Sequence, residues 1–103
     1  MTHRAEKIVI ITEKVIAEDV TKLIMESGAT GYTICNAGGR GSRGIRSGGR
    51  AVMDVFSNVK IEVIISSKEK AEEIADKVAD TFFENYSGIV YLEGVEILRP
   101  QKF

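Results

Sequence analysis

Asn-Val-Lys-Ile-Glu-Val-Ile-Ile (58–65) runs straight into Ser-Ser-Lys-Glu-Lys-Ala-Glu-Glu-Ile-Ala-Asp-Lys-Val-Ala-Asp-Thr-Phe (66–82), and the apolar period changes at the junction. In the first part Val59, Ile61, Val63 and Ile65 share one side of an extended chain, with Lys60, Glu62 and Ile64 on the other. In the second, Ala71, Ile74, Ala75, Val78, Ala79 and Phe82 form a helical stripe, and Ser66 with Glu69 has capping-box spacing. This predicts a strand over 58–65 and a helix to about Asn85, with Gly88 just past its end. Towards the N-terminus, the β-branched run Ile8 to Ile11 predicts a first strand over Lys7–Thr12. Ile16, Val20, Leu23 and Ile24 then predict a helix closed by Gly28, and Gly31–Ala37 a second strand. Ile89–Leu92 and Val95–Leu98 supply a last strand, with a bend expected at Gly94.

The order is β-α-β-β-α-β, an α+β ferredoxin-like sandwich in which two helices cover one face of a four-stranded antiparallel sheet. The first strand is apolar on both sides, Ile8 and Ile10 against Val9 and Ile11, so the second sheet face also needs cover. Self-association is the simplest source.

The chain has 103 residues, 44% of them apolar and 28% charged, which fits a single domain over 1–103. A domain of this mass buries roughly 65% of its chain surface and needs no disulfide staple. Cys35 is the single cysteine and is expected to be a small core residue on the second strand. The charged start Met-Thr-His-Arg-Ala-Glu-Lys has no apolar signal region, and no apolar run reaches a membrane span, so the expectation is a cytoplasmic domain. His3 is expected in a frayed terminus, which leaves no histidine for a Ser/His/Asp or Cys/His catalytic set, and the chain reads as a non-enzyme.

The net charge of −1 conceals an asymmetry. Residues 37–53 carry Arg40, Arg43, Arg46 and Arg50 and no acid, for +4, while the remainder carries −5. Six of the ten glycines lie in the same stretch. Gly-Gly-Arg-Gly-Ser-Arg-Gly-Ile-Arg-Ser-Gly-Gly-Arg (38–50) joins the second and third strands over a length far beyond a hairpin turn. Glycine frees backbone N–H groups to converge on an anion, and arginine forks match phosphate oxygens, so a phosphate-bearing ligand at the loop base is the physical reading. Gly39, Gly41 and Gly44 satisfy G-x-G-x-x-G, but no helix follows to receive a pyrophosphate. A P-loop fails as well, because Arg50 and Ala51 stand where Lys and Ser/Thr are needed.

Two binding modules and one enzyme compete. An RNA-binding ferredoxin-like module could use the Gly/Arg loop as a clamp, but its stacking aromatics should lie on the third strand, and Val59–Ile65 has none. A metal chaperone needs a cysteine pair. A small phosphatase could use an arginine cradle, but no base or nucleophile accompanies it.

The chain resembles the PII-like signalling proteins, most closely the cyanobacterial SbtB type. The residues that carry the likeness are Ile-Thr-Glu-Lys (11–14), Glu-Ser-Gly-Ala-x-Gly-Tyr-Thr (26–33), Gly-Gly-x-Gly-Ser-Arg (38–43), Arg46, Ala-Glu-Glu-Ile-Ala-Asp (71–76) and Tyr-x-Gly-Ile (86–89). The resemblance implies a homotrimer with AMP, cyclic AMP, ADP or ATP in the clefts between subunits. It implies that 37–56 is a T-loop that regulates a sodium-dependent bicarbonate transporter, SbtA, in the cyanobacterial carbon-concentrating mechanism. The protein would then be cytoplasmic and peripherally membrane-associated when bound to its partner, with no nucleic-acid ligand. Thr33, Gly39 and Gly41 would line the cleft, Ser42, Arg43 and Arg46 would hold phosphate, and Gly88, Ile89 and Glu62 would lie near base and ribose. Arg40, Arg43, Ile45, Arg46, Arg50 and Phe56 would present the loop to the transporter, and a divalent metal could accompany ATP. The chain departs from the pattern twice. Ile89 and Val90 stand where ordinary PII proteins carry a phosphate-gripping lysine, and the chain has no C-terminal cysteine pair.

Overall fold

The computed structural model describes residues 1–38, 40–41, 44–45 and 57–103. Strand β1 (His3–Glu13) leads through a 3-10 turn at Lys14–Ile16 into helix α1 (Ala17–Glu26). Strand β2 (Thr33–Ala37) follows, then two two-residue strands, β3 (Arg40–Gly41) and β4 (Gly44–Ile45). Strand β5 (Asn58–Ile65), helix α2 (Lys68–Phe82) and strand β6 (Gly88–Ile97) complete the main elements, and a 3-10 turn at Pro100–Lys102 ends the chain. The main sheet is antiparallel in the order β2-β5-β1-β6. This is the expected ferredoxin-like sandwich.

The alternation in β5 sets the layers. Val59, Ile61, Val63 and Ile65 are all buried and join Ile8 and Ile10 of β1. Val20 and Ile24 of α1 and Ala71, Ile74 and Val78 of α2 close over them, so both helices cover one sheet face. An Ile-to-Ala change in such a core costs about 2–5 kcal/mol, because the cavity left behind collapses only partly.

Several boundaries differ from the sequence expectation. β1 starts at His3, not Lys7, because β6 is long enough to pair with it down to His3 opposite Ile97; His3 is a strand residue rather than a frayed one. β6 is continuous through Gly94, which pairs with Glu6, so the two apolar runs belong to one unbroken strand. Ser67, not Ser66, caps α2: its hydroxyl accepts from Lys70 N–H at 3.2 Å. α2 ends at Phe82, before the expected Asn85, and the amides of Asn85 and Tyr86 turn back to the Phe82 carbonyl. Gly28 follows α1 with φ 110°, the left-handed end position expected of it. The β3–β4 pairing inside the long connection, Arg40 with Ile45 and Gly41 with Gly44, was not anticipated.

Cys35 is exposed, contrary to the core placement expected. It sits on edge strand β2 opposite Lys60, on the sheet face that no helix covers. On this open face Val9 is nonetheless fully buried, flanked in register by Glu62 and Tyr91, and long polar side chains cover apolar neighbours with their stems. Ile89 and Tyr91 remain exposed there. Among the described residues no helix is long and apolar enough to cross a membrane.

Candidate functional site

The last residues of the chain build a wall. After β6, Arg99 adopts a left-handed backbone (φ 61°, ψ 54°), which turns the chain back over the sheet end. Hydrogen bonds hold the returning turn in place. Thr30 Oγ1 donates to the Lys102 carbonyl at 2.7 Å, Ser66 N–H donates to the Phe103 carbonyl at 3.2 Å, and the Ser66 hydroxyl donates to the Pro100 carbonyl at 3.3 Å. The turn thereby ties the α1–β2 connection to the β5–α2 junction. A left-handed non-glycine residue costs about 1–3 kcal/mol, and these bonds are what sustain it.

Between this wall and the β2–β5 edge lies a cleft of about 740 Å³, within the size range of small-molecule sites. Arg99 and Lys102 supply two cations along one side. No carboxylate among the described residues forms an ion pair with Arg99. Ile64, Leu98 and Phe103 supply apolar surface, Thr30, Tyr32 and Thr33 supply hydroxyls, and Glu62 supplies an acid. Leu98 is 60% exposed and Phe103 42%, so both offer apolar surface to a ligand in the cleft. Such a lining accepts an amphipathic anion: a flat or apolar body with neutral donors, carrying negative charge at the arginine end.

Of the residues expected from sequence, Thr33 and Glu62 line this cleft and lie opposite each other in the β2–β5 register. Gly88 and Ile89 do not join them. They begin β6 at the far edge of the sheet, three strand spacings or roughly 14 Å from β2, and are not part of the cleft lining. Gly88 is packed under Phe83 and Thr12. Thr12 Oγ1 donates to the Ser87 carbonyl and Glu13 accepts from Ser87 N–H, both at 2.7 Å, fixing the turn that presents Ile89. Arg40, Gly41 and Ile45 lie on the short β3–β4 pair. Gly39, Ser42, Arg43, Arg46, Arg50 and Phe56 lie outside the described residues. Among the described residues no group of three or more His, Cys, Asp or Glu side chains is placed to hold a metal ion.

Sequence reasoning missed Arg99 and Lys102. The available signal was the tail Leu-Arg-Pro-Gln-Lys-Phe (98–103), two cations and two apolar residues around a proline, which composition alone does not separate from a frayed end. Removing the latch should show that the wall depends on it. In Thr30→Val we expect faster amide exchange at residues 101–103 and a global stability loss of about 1 kcal/mol, read by hydrogen exchange and thermal melting.

The family model described as nitrogen regulatory protein P-II matches residues 5–102. The chain belongs to the P-II family. A PII-like signalling protein from Thermus thermophilus is 32% identical to this family member, over 99% of this chain and 97% of its own, with a TM-score of 0.80. CPII from Thiomonas intermedia, a nitrogen regulatory PII-like protein, was solved with ADP and bicarbonate; it is 30% identical, over 100% of this chain and 97% of its own, with a TM-score of 0.83. A further CPII structure, bound to ADP, AMP and bicarbonate, aligns at 28% identity over 100% of this chain and 96% of its own, also with a TM-score of 0.83.

Proposed function

We propose that this P-II protein is a non-enzymatic sensor of adenine nucleotides of the SbtB type. The observation that carries the reading is the cleft beside β2 and β5, with its cations at Arg99 and Lys102 and its apolar and hydroxyl surface at Ile64, Leu98 and Thr33. The complexes of CPII with ADP and AMP support the ligand class. The placement of Gly88 and Ile89 on the opposite sheet edge supports a site completed by a second subunit, hence a homotrimer with one cleft per interface. In this reading Thr33, Gly39 and Gly41 belong to the cleft, Ser42, Arg43 and Arg46 are the phosphate ligands, and Gly88, Ile89 and Glu62 serve the base and ribose. The effectors are AMP, cyclic AMP, ADP and ATP, the last with a divalent metal. Ligand charge neutralises the loop arginines and shifts the 37–56 segment between two populations, only one of which binds the bicarbonate transporter SbtA. The protein is cytoplasmic and reaches the membrane through that partner.

A calorimetric titration with the four nucleotides tests the reading, and absence of saturable binding by all of them removes it. Arg43→Ala and Arg46→Ala should each weaken binding by about 1.5–3 kcal/mol, the range for charge-assisted contacts. Wild-type affinity in both variants would place the phosphate elsewhere.

A further inference from the structure

The open face of the sheet carries a row of ion pairs that begins at the cleft. Lys60 Nζ lies 3.4 Å from Glu62 Oε2, and Lys7 Nζ lies 3.9 Å from the same oxygen. Lys7 Nζ also lies 3.3 Å from Glu93 Oε1 on β6. The row thus crosses three neighbouring strands, β5, β1 and β6, on the side away from the helices. Such exposed pairs contribute little to stability one by one. Their arrangement has a chemical consequence. Both lysines engage Oε2, so neither of these contacts uses Glu62 Oε1, and Glu62 lines the cleft. The lysine stems are partly covered, with side-chain exposures of 25% for Lys7 and 38% for Lys60. Their ammonium groups both lie on the Oε2 side of the carboxylate, which favours the orientation that leaves Oε1 towards the cleft.

An ionised carboxylate accepts hydrogen bonds and cannot donate them, and it repels phosphate. The ligand group that meets Oε1 must therefore be a neutral donor, with the phosphates directed to Arg99 and Lys102. In a nucleotide, the ribose hydroxyls are donors suited to a carboxylate. We propose that Lys7 and Lys60 are positioning residues which fix Glu62 as the reader of the ribose 2′-hydroxyl, making the cleft selective for ribonucleotides over 2′-deoxyribonucleotides. This rests on the nucleotide-sensor reading above. Lys7 is the less obvious of the two, since it reaches Glu62 diagonally from β1 and is shared with Glu93.

The test is calorimetry of the full chain with ADP and with 2′-deoxy-ADP, comparing wild type with Lys7→Met, Lys60→Met, Lys7→Arg and Glu62→Gln. The wild type is expected to prefer ADP by about 10-fold or more, the scale of a charge-assisted hydrogen bond. The preference should fall to about 2- to 3-fold in Glu62→Gln and in Lys60→Met, fall by a smaller factor in Lys7→Met, and recover in Lys7→Arg. A merely structural role for the lysines would weaken both ligands together and leave the ratio unchanged. An unchanged ratio in both methionine variants overturns the proposal, as does equal affinity of the wild type for the two ligands. Failure of the wild type to bind ADP at all would instead remove the nucleotide-sensor reading, and this proposal with it.

Discussion

In Arg99→Glu, ADP affinity should fall by more than about 4 kcal/mol, whereas in Arg99→Gly it should fall by only about 1.5–3 kcal/mol. Both changes delete a cation that faces the cleft, and the loss of a charge-assisted contact accounts for the smaller figure. The glutamate adds repulsion. At an effective dielectric of about 20, two like charges about 4 Å apart interact by roughly 4 kcal/mol, so the two effects together exceed either alone. Glycine is the cleaner deletion because the backbone here has φ 61° and ψ 54°, a conformation that glycine adopts without steric cost. Arg99→Gly should therefore leave the melting temperature unchanged or slightly raised while binding weakens. Calorimetry and thermal melting on the same samples separate the two effects. Equal affinities in wild type and Arg99→Glu would mean that the C-terminal wall does not face the ligand.

Arg99 also marks where sequence reasoning stops. The sandwich was legible because β5 and α2 state their periods without ambiguity: every second residue from Val59 to Ile65 is buried, and Ala71, Ile74 and Val78 follow at helical spacing. Boundaries were less legible, since they depend on partners. His3 belongs to β1 only because β6 extends to Ile97, and Ser67 rather than Ser66 caps α2 because Ser66 is engaged by the C-terminal turn. Cys35 was misplaced because alternation gives two faces without saying which one the helices cover. Of the cleft lining, Thr33 was named through the family resemblance and Glu62 through strand alternation and that resemblance. Arg99 and Lys102 could not be found, because they reach Thr33 only through a return turn held by Thr30 and Ser66, contacts that span 72 and 34 residues of chain. Gly88 was expected at a ligand, and within the single chain its lack of a side chain also has a packing cause.

That cause predicts the second large effect, on stability. A Cβ built at Gly88 would meet Phe83 Cε1 at 2.5 Å, Phe83 Cζ at 2.7 Å and Thr12 Oγ1 at 2.9 Å. Gly28 is the positive-φ glycine among the described residues, so the Gly88 backbone itself suits alanine. In open space such a substitution stabilises by about 0.4–1 kcal/mol through the unfolded chain. Here the steric term decides the sign. Phe83 follows the end of α2 and packs against the core, and Thr12 is fully buried with its hydroxyl committed to the Ser87 carbonyl, so neither neighbour moves freely. Overpacking of this kind costs about 1–3 kcal/mol, and the upper end is expected because two separate groups must give way. For a domain of this size each kcal/mol shifts the midpoint by roughly 4–8 °C, so Gly88→Ala should melt more than about 10 °C below wild type. The Phe83 ring makes two of the three contacts, so adding Phe83→Leu to Gly88→Ala should recover part of the loss, a coupling that a double-mutant cycle measures directly. An unchanged melting temperature with weakened nucleotide binding would show instead that ligand contact, not packing against Phe83 and Thr12, excludes a side chain at position 88.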